Sequence, residues 1–159
     1  MARNDIEYTA AIGTATAVVA NNKLDGTGTL VTVLVAGGSI TINNVVIKAS
    51  VMSTEGMVRL FVEDPSKNIK LLEEVTISAR VSSGTVPTVS HVVNFVKGFV
   101  LEKNLKLLAS TENAESFNVF ADGLAWEFPS PETKALQAAS NTMADISTAN
   151  TNWTALEQW

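Results

Sequence analysis

The 159-residue chain has no cysteine, a single histidine, and only 17% charged residues. Without cysteine there is no disulfide framework, no thiolate nucleophile and no sulfur-ligated metal. No window approaches the roughly 20 apolar residues that a membrane-spanning helix requires. Lys and Arg total 11 against 16 Asp and Glu, a formal net charge of −5. That balance leaves no basic stripe to collect phosphates, so the expected partners include neither nucleic acid nor membrane. The opening residues Met1 to Asp5 are polar and unlike the apolar core of a secretory signal, which leads to the expectation of a soluble protein made in the cytoplasm.

Hydrophobic residues make up 46% of the chain, enough for one ordinary core. They fall in short runs. Ile6, Tyr8, Ala10 and Ile12 alternate with more polar residues, and Ala15 to Ala20 continues a β-tolerant stretch, predicting one or two strands. Residues 29–36 are rich in β-branched side chains, and Ala36-Gly37-Gly38-Ser39 predicts a tight reversal with left-handed glycines. Residues 40–51 are then expected to return antiparallel. In that segment Val45, Ile47, Ala49 and Val51 share one face, and Val46, Lys48 and Ser50 the other. Residues 56–63 predict another strand, closed by a turn at Asp64-Pro65-Ser66-Lys67-Asn68. Leu71 to Glu74 suits the start of a helix, but the β-branched alternation of Val75 to Ser78 favours a strand.

Further strand character covers 89–96, 99–101, 105–109, 117–121 and 125–128, with Lys97-Gly98, Glu102-Lys103-Asn104 and Asp122-Gly123 as punctuation. About eight short strands without helical patterns between them predict an all-β fold, an antiparallel β-sandwich or jelly roll, over residues 1–128. The glycines and aromatics show no fixed period that would indicate a solenoid.

Residues 129–159 differ in composition and predict a partly helical C-terminal arm. Ser130 is placed to cap a helix beginning at Pro131, where the missing N–H costs nothing, and Glu132 suits its positive end. Leu136, Ala139, Met143 and Ile146 form a narrow apolar seam along it. Beyond Asn150, Trp153, Leu156 and Trp159 recur every three residues and gather on one side of a terminal turn. Neither piece buries itself alone. Three readings follow: packing on the chain's own sandwich, docking on a neighbouring subunit through Leu136, Met143, Ile146, Trp153, Leu156 and Trp159 with tryptophan as the favoured anchor, or disorder.

No catalytic constellation emerges. His91 sits on a predicted strand, and neither Ser90 nor Ser78 lies in a nucleophile-elbow sequence. The pairs Glu63-Asp64, Glu73-Glu74 and Glu112 with Glu115 read as solvated surface, since adjacent acids on a strand point to opposite faces. Asp64 and Asp122 lack the ligand spacing of a calcium loop. Gly26-Thr27-Gly28 lacks the remaining elements of a dinucleotide or phosphate loop. Asn152-Trp153-Thr154 matches a glycosylation sequon, read as chance in a chain without a secretory signal. No cofactor or metal is expected.

Ala36-Gly37-Gly38-Ser39, Val46-Ile47-Lys48-Ala49, Gly56 to Phe61, Leu71 to Val75 and Leu107 to Val119 together resemble segments of small β-sandwich virion proteins of tailed bacteriophages. The resemblance covers about residues 29–128 and not the arm. It implies a non-enzymatic structural component of a phage particle, found in the virion after synthesis in the host cytoplasm. A capsid decoration or auxiliary protein comes first, contacting capsid or other virion proteins as a homo-oligomer, drawn here as a trimer. The alternative is a tail or fibre component with a carbohydrate- or receptor-binding sandwich, for which Trp126 is the ligand platform.

Overall fold

In the computed structural model, which describes residues 7–127, the chain forms eight strands: β1 (Glu7–Ala17), β2 (Val31–Val35), β3 (Ser39–Ala49), β4 (Gly56–Glu63), β5 (Ile69–Ile77), β6 (Ser90–Leu101), β7 (Lys106–Thr111) and β8 (Phe117–Glu127). They make two four-stranded sheets, ordered β1-β8-β3-β6 and β2-β7-β4-β5. In this order β1 neighbours β8, β2 neighbours β7, β3 neighbours β6 and β4 neighbours β5. That is one long antiparallel hairpin, tipped by the β4–β5 turn and rolled so that its paired halves alternate between two sheets. The arrangement is an eight-stranded jelly roll. All of it except the outermost residues of β1 and β8 belongs to a single compact unit, Tyr8–Trp126.

Period-two patterning explains the closure. On β3, Ile40, Ile42, Val45, Ile47 and Ala49 are buried, and on β8 Phe117, Val119 and Ala121. They meet Val58 and Leu60 of β4, Leu107 and Ala109 of β7, Val33 of β2 and Ile77 of β5 in one core cluster. The break in alternation between Ile42 and Val45 is a bulge: the ladders of β3 with both β6 and β8 shift register between Ile42 and Asn44. The extra residue keeps apolar side chains inward on both halves of a long strand.

Several sequence expectations are revised. Residues 29–36 and 40–51 do not form a hairpin, because β2 pairs with β7 while β3 pairs with β6 and β8. The Gly37-Gly38 turn instead carries the chain from one sheet to the other, and the left-handed glycines are Gly26, Gly28 and Gly98. Val51 lies beyond β3 and is exposed. The segments 89–96 and 99–101 are a single strand, β6, which passes Gly98 at φ +73°. A Cβ on Gly98 would overlap Thr41 Cγ2, so both conformation and space require glycine there. Leu71 to Glu74 is strand, paired to β4.

Leu60→Ala, which opens a void in a fully buried site, is expected to cost about 2–5 kcal/mol in chemical denaturation. Val92→Ala on the outer face should cost no more than about 1 kcal/mol. Gly98→Ala should cost at least about 1 kcal/mol although it adds apolar surface.

Candidate interaction surface

The outer faces of the two sheets are treated differently. On the β2-β7-β4-β5 sheet, Phe61 and Leu108 sit opposite one another in the β4–β7 ladder and are buried, although they point away from the main core. The β1–β2 connection covers them. Asn21 bonds through its backbone N–H to Thr111 O at 2.7 Å, and Gly26 packs against the Ile69 side chain, so the segment crosses this face from β7 towards β5. Asn21 holds the crossing in shape. Its Nδ2 donates to Thr27 O and Thr29 O at 3.0 and 2.9 Å, and its Oδ1 accepts from Lys23 N at 3.0 Å.

Beneath the same segment lies Arg59, its side chain only 7% exposed. Its Nε donates to Glu74 Oε1 at 2.9 Å, Nη1 reaches Asn21 O at 3.5 Å, and Nη2 stands 3.8 Å from Glu112 Oε1. Opposite Arg59 in the β4–β7 ladder is Ser110, whose Oγ is the one buried side-chain polar atom without a hydrogen bond among the described residues. A buried guanidinium with two carboxylates ties β4 and β5 to the β7–β8 turn and the β1–β2 connection. The acidic residues that sequence alone places on the solvated surface here have structural partners.

The remaining acids do similar work at turns. Glu63 accepts from Lys67 Nζ at 2.9 Å and lies 3.4 Å from Lys106 Nζ; the Lys67 hydrogen bond, helped by Lys106, holds its carboxyl below the usual range. Asp64 closes the β4–β5 turn by accepting from Asn68 Nδ2 and Asn68 N, both at 2.9 Å, and the side-chain bond lowers its pKa. Asp25 is lowered by the Thr27 hydroxyl and then the Thr27 N–H. Glu115 accepts from Thr54 through both its N–H and its hydroxyl. Among the described residues no group of three or more His, Asp or Glu is arranged to hold a metal ion.

His91 stands on β6 opposite Ile47 of β3, half-buried on the core-facing side, while Ser90 points outward opposite Lys48. Trp126 is half-buried near the end of β8, opposite Ser39. Leu136, Met143, Ile146, Trp153, Leu156 and Trp159 lie outside the described residues.

Among the described residues, the outer face of the β1-β8-β3-β6 sheet carries no comparable cover over its apolar side chains. Across β8, β3 and β6, Phe120, Val46 and Val92 form one directly opposed row, with Phe120 40% and Val92 54% exposed. Leu124, Thr41 and Val100 form a second row, and Val96 on β6 is 96% exposed. Tyr8 and Ile12 on β1 add further exposed apolar area. Within the paired segments 44–48, 90–94 and 118–122 the outward charges are Lys48 and Asp122 alone. Sequence alternation marks these residues as half of a strand pattern, but it does not reveal that they adjoin across three strands. The two apolar rows, parted by the polar row Asp122, Asn44 and Asn94, make this face the candidate contact surface.

The lowered carboxylates set a sign for acid stability. Their folded pKa values lie below the unfolded ones, so the contribution is present above the ordinary carboxylate range and is lost as pH falls through the folded values. Thermal midpoints should therefore drop between pH 6 and pH 3, and Glu63→Gln should flatten part of that drop. A second expectation concerns the buried arginine. Glu74→Ala strands a buried cation, whereas Arg59→Met leaves two carboxylates that are 39% and 35% exposed and can hydrate. Glu74→Ala should be the more destabilising in urea titrations, and Ser110→Ala should be neutral or slightly stabilising.

No family model and no curated protein matches the chain. Among solved structures, a chain of the cyanophage Pam1 capsid asymmetric unit aligns over 75% of this chain and 85% of its own, at 12% identity and a TM-score of 0.40. The CBM22-1 and GH10 modules of Clostridium thermocellum xylanase 10B, complexed with xylohexaose, align over 72% of this chain at 12% identity and a TM-score of 0.34. A chain of the infectious bursal disease virus T13 particle aligns over 77% at 10% identity and a TM-score of 0.35. The chain spans 25% and 35% of the length of the latter two. At these TM-scores the likenesses carry no argument about function.

Proposed function

We propose that this chain is a non-enzymatic structural protein of a virus particle, most specifically a capsid decoration or auxiliary protein of a tailed bacteriophage. The observation that carries the reading is the open apolar face of the β1-β8-β3-β6 sheet, set beside an opposite face that the chain covers with its own β1–β2 connection. Among the described residues one outer face is sealed and the other exposes Phe120, Val92, Val96 and Leu124 with few charges between them, a surface suited to contact with protein. Asp25, Glu63, Asp64, Glu74, Glu112 and Glu115 are engaged in turns and strand ties. The jelly-roll order adds an analogy of architecture only, since that fold also serves lectins and cupins.

In this role the protein stabilises a shell by binding across subunit joints, each contact adding to the assembled state by mass action. The arm of residues 129–159 supplies the grip on neighbouring virion proteins through Leu136, Met143, Ile146, Trp153, Leu156 and Trp159, and many copies on one particle multiply weak contacts. The tail or fibre alternative uses Trp126 as a sugar platform.

Mass spectrometry of purified particles from the encoding virus should find this chain in many copies, and its absence would end the proposal. Truncation after Phe128 should leave the two sheets folded by circular dichroism while abolishing incorporation into particles. Glycan binding by the isolated protein that is lost in Trp126→Ala would instead support the tail or fibre reading.

A further inference from the structure

We propose that the outer face of the β1-β8-β3-β6 sheet is the interface of a two-fold dimer, and that its occupant is the same face of a second copy of this chain. The inference rests on the preceding reading only in taking this face as a contact surface. It deepens that reading by naming the partner.

The charge pattern of the face makes it complementary to itself. Three rows run across β8, β3 and β6. The central row is Phe120, Val46 and Val92; on one side lies the row Asn118, Lys48 and Ser90, and on the other the row Asp122, Asn44 and Asn94. Each polar row is two residues from the apolar one, about 7 Å along the strands. A two-fold axis lying in the interface along the apolar row reverses strand direction and exchanges the polar rows. Apolar row then meets apolar row, and the Lys48 row of each copy meets the Asp122 row of the other.

Lateral position is kept by this operation, so Lys48 on β3 faces the partner's Asn44, one strand away from the partner's Asp122. That sideways offset is about 5 Å, and stacked sheets lie about 10 Å apart, a gap that a lysine and an aspartate reaching from opposite sides can close. Symmetry makes the pair twice. A two-fold axis along β3 instead, with the strands running the same way, would put Lys48 over Lys48 and leave Asp122 over the partner's Asn94, so the charges favour the axis along the apolar row. Asn118 and Ser116 are tied to Ser50 at 3.1 Å each, and Thr16 to Asn118 at 2.9 Å, which gives one end of the face a fixed polar border. Isologous pairs of this kind are the commonest route to a homodimer.

Sedimentation velocity of the full chain over a concentration series tests the proposal. A dimer that dissociates on dilution is expected. Phe120→Glu and Val92→Lys, both at exposed positions, should each weaken association by on the order of a hundredfold, with thermal midpoints confirming that both variants remain folded. Lys48→Glu and Asp122→Lys should each weaken it by about tenfold, an exposed pair's few-fold effect counted twice. The combined Lys48→Glu, Asp122→Lys variant should recover the parent's dissociation constant. A full chain that stays monomeric at high micromolar concentration overturns the proposal. So does an oligomer indifferent to Phe120→Glu and Val92→Lys, or a charge-swapped variant that fails to recover. Particle incorporation is scored separately: a monomer found in particles sinks the dimer alone, and a dimer absent from them sinks the virion assignment alone.

Discussion

The structure depends on burying two sets of alternate residues against each other. Ile42, Val45 and Ile47 of one sheet face Val58, Leu60 and Leu107 of the other, and all six are fully buried. Everything else in the fold serves that closure. Hydrogen-bonded ladders satisfy the backbone that the core removes from water. The β3 bulge restores the inward phase of its side chains, and the chain moves between sheets so that each strand meets the partner that continues the rolled hairpin.

Closure of the core leaves two outer faces, and the chain resolves them in opposite ways. Over the β2-β7-β4-β5 sheet it lays its own β1–β2 connection, burying Phe61 and Leu108 and drawing Arg59 under cover with Glu74 and Glu112. Desolvating a guanidinium is tolerable there because a 2.9 Å bond to Glu74 compensates it and both carboxylates keep water on one side. Over the β1-β8-β3-β6 sheet no such connection among the described residues covers Phe120, Val92, Val96 or Leu124, which remain exposed. The asymmetry links packing to role. A connection buries one face from within the chain, and the apolar side chains that stay exposed on the other gain by burial against a further surface.

Much of the strand content was legible from residue order. The β-branched run at residues 31–35, the alternation of 45–49 and the proline-containing turn at 64–68 all correspond to observed elements. Misreadings arose where the deciding contact was distant. Gly37-Gly38 carries the local chemistry of a hairpin turn, yet β2 gains more by pairing with β7 than by folding back on β3. Arg59 and Phe61 alternate with the core residues Val58 and Leu60, yet they too are buried, and Arg59 reaches a segment nearly forty residues away in sequence. The apolar row of the open face was invisible for the same reason, since Val46, Val92 and Phe120 adjoin only after three strands are in register.

By itself, then, the sequence determined most of the strand-forming segments, the Asp64–Asn68 turn and the shared inward face of Val45, Ile47 and Ala49. These depend on near neighbours, because a period of two and a preference for turn conformations are properties of a few consecutive residues. Tertiary structure alone decided the strand order, the covered face with its buried arginine and the open face with the Lys48 and Asp122 rows on either side of the Val46 row. Those features are sums over residues far apart in the chain, and their energies exist only when the sheets close.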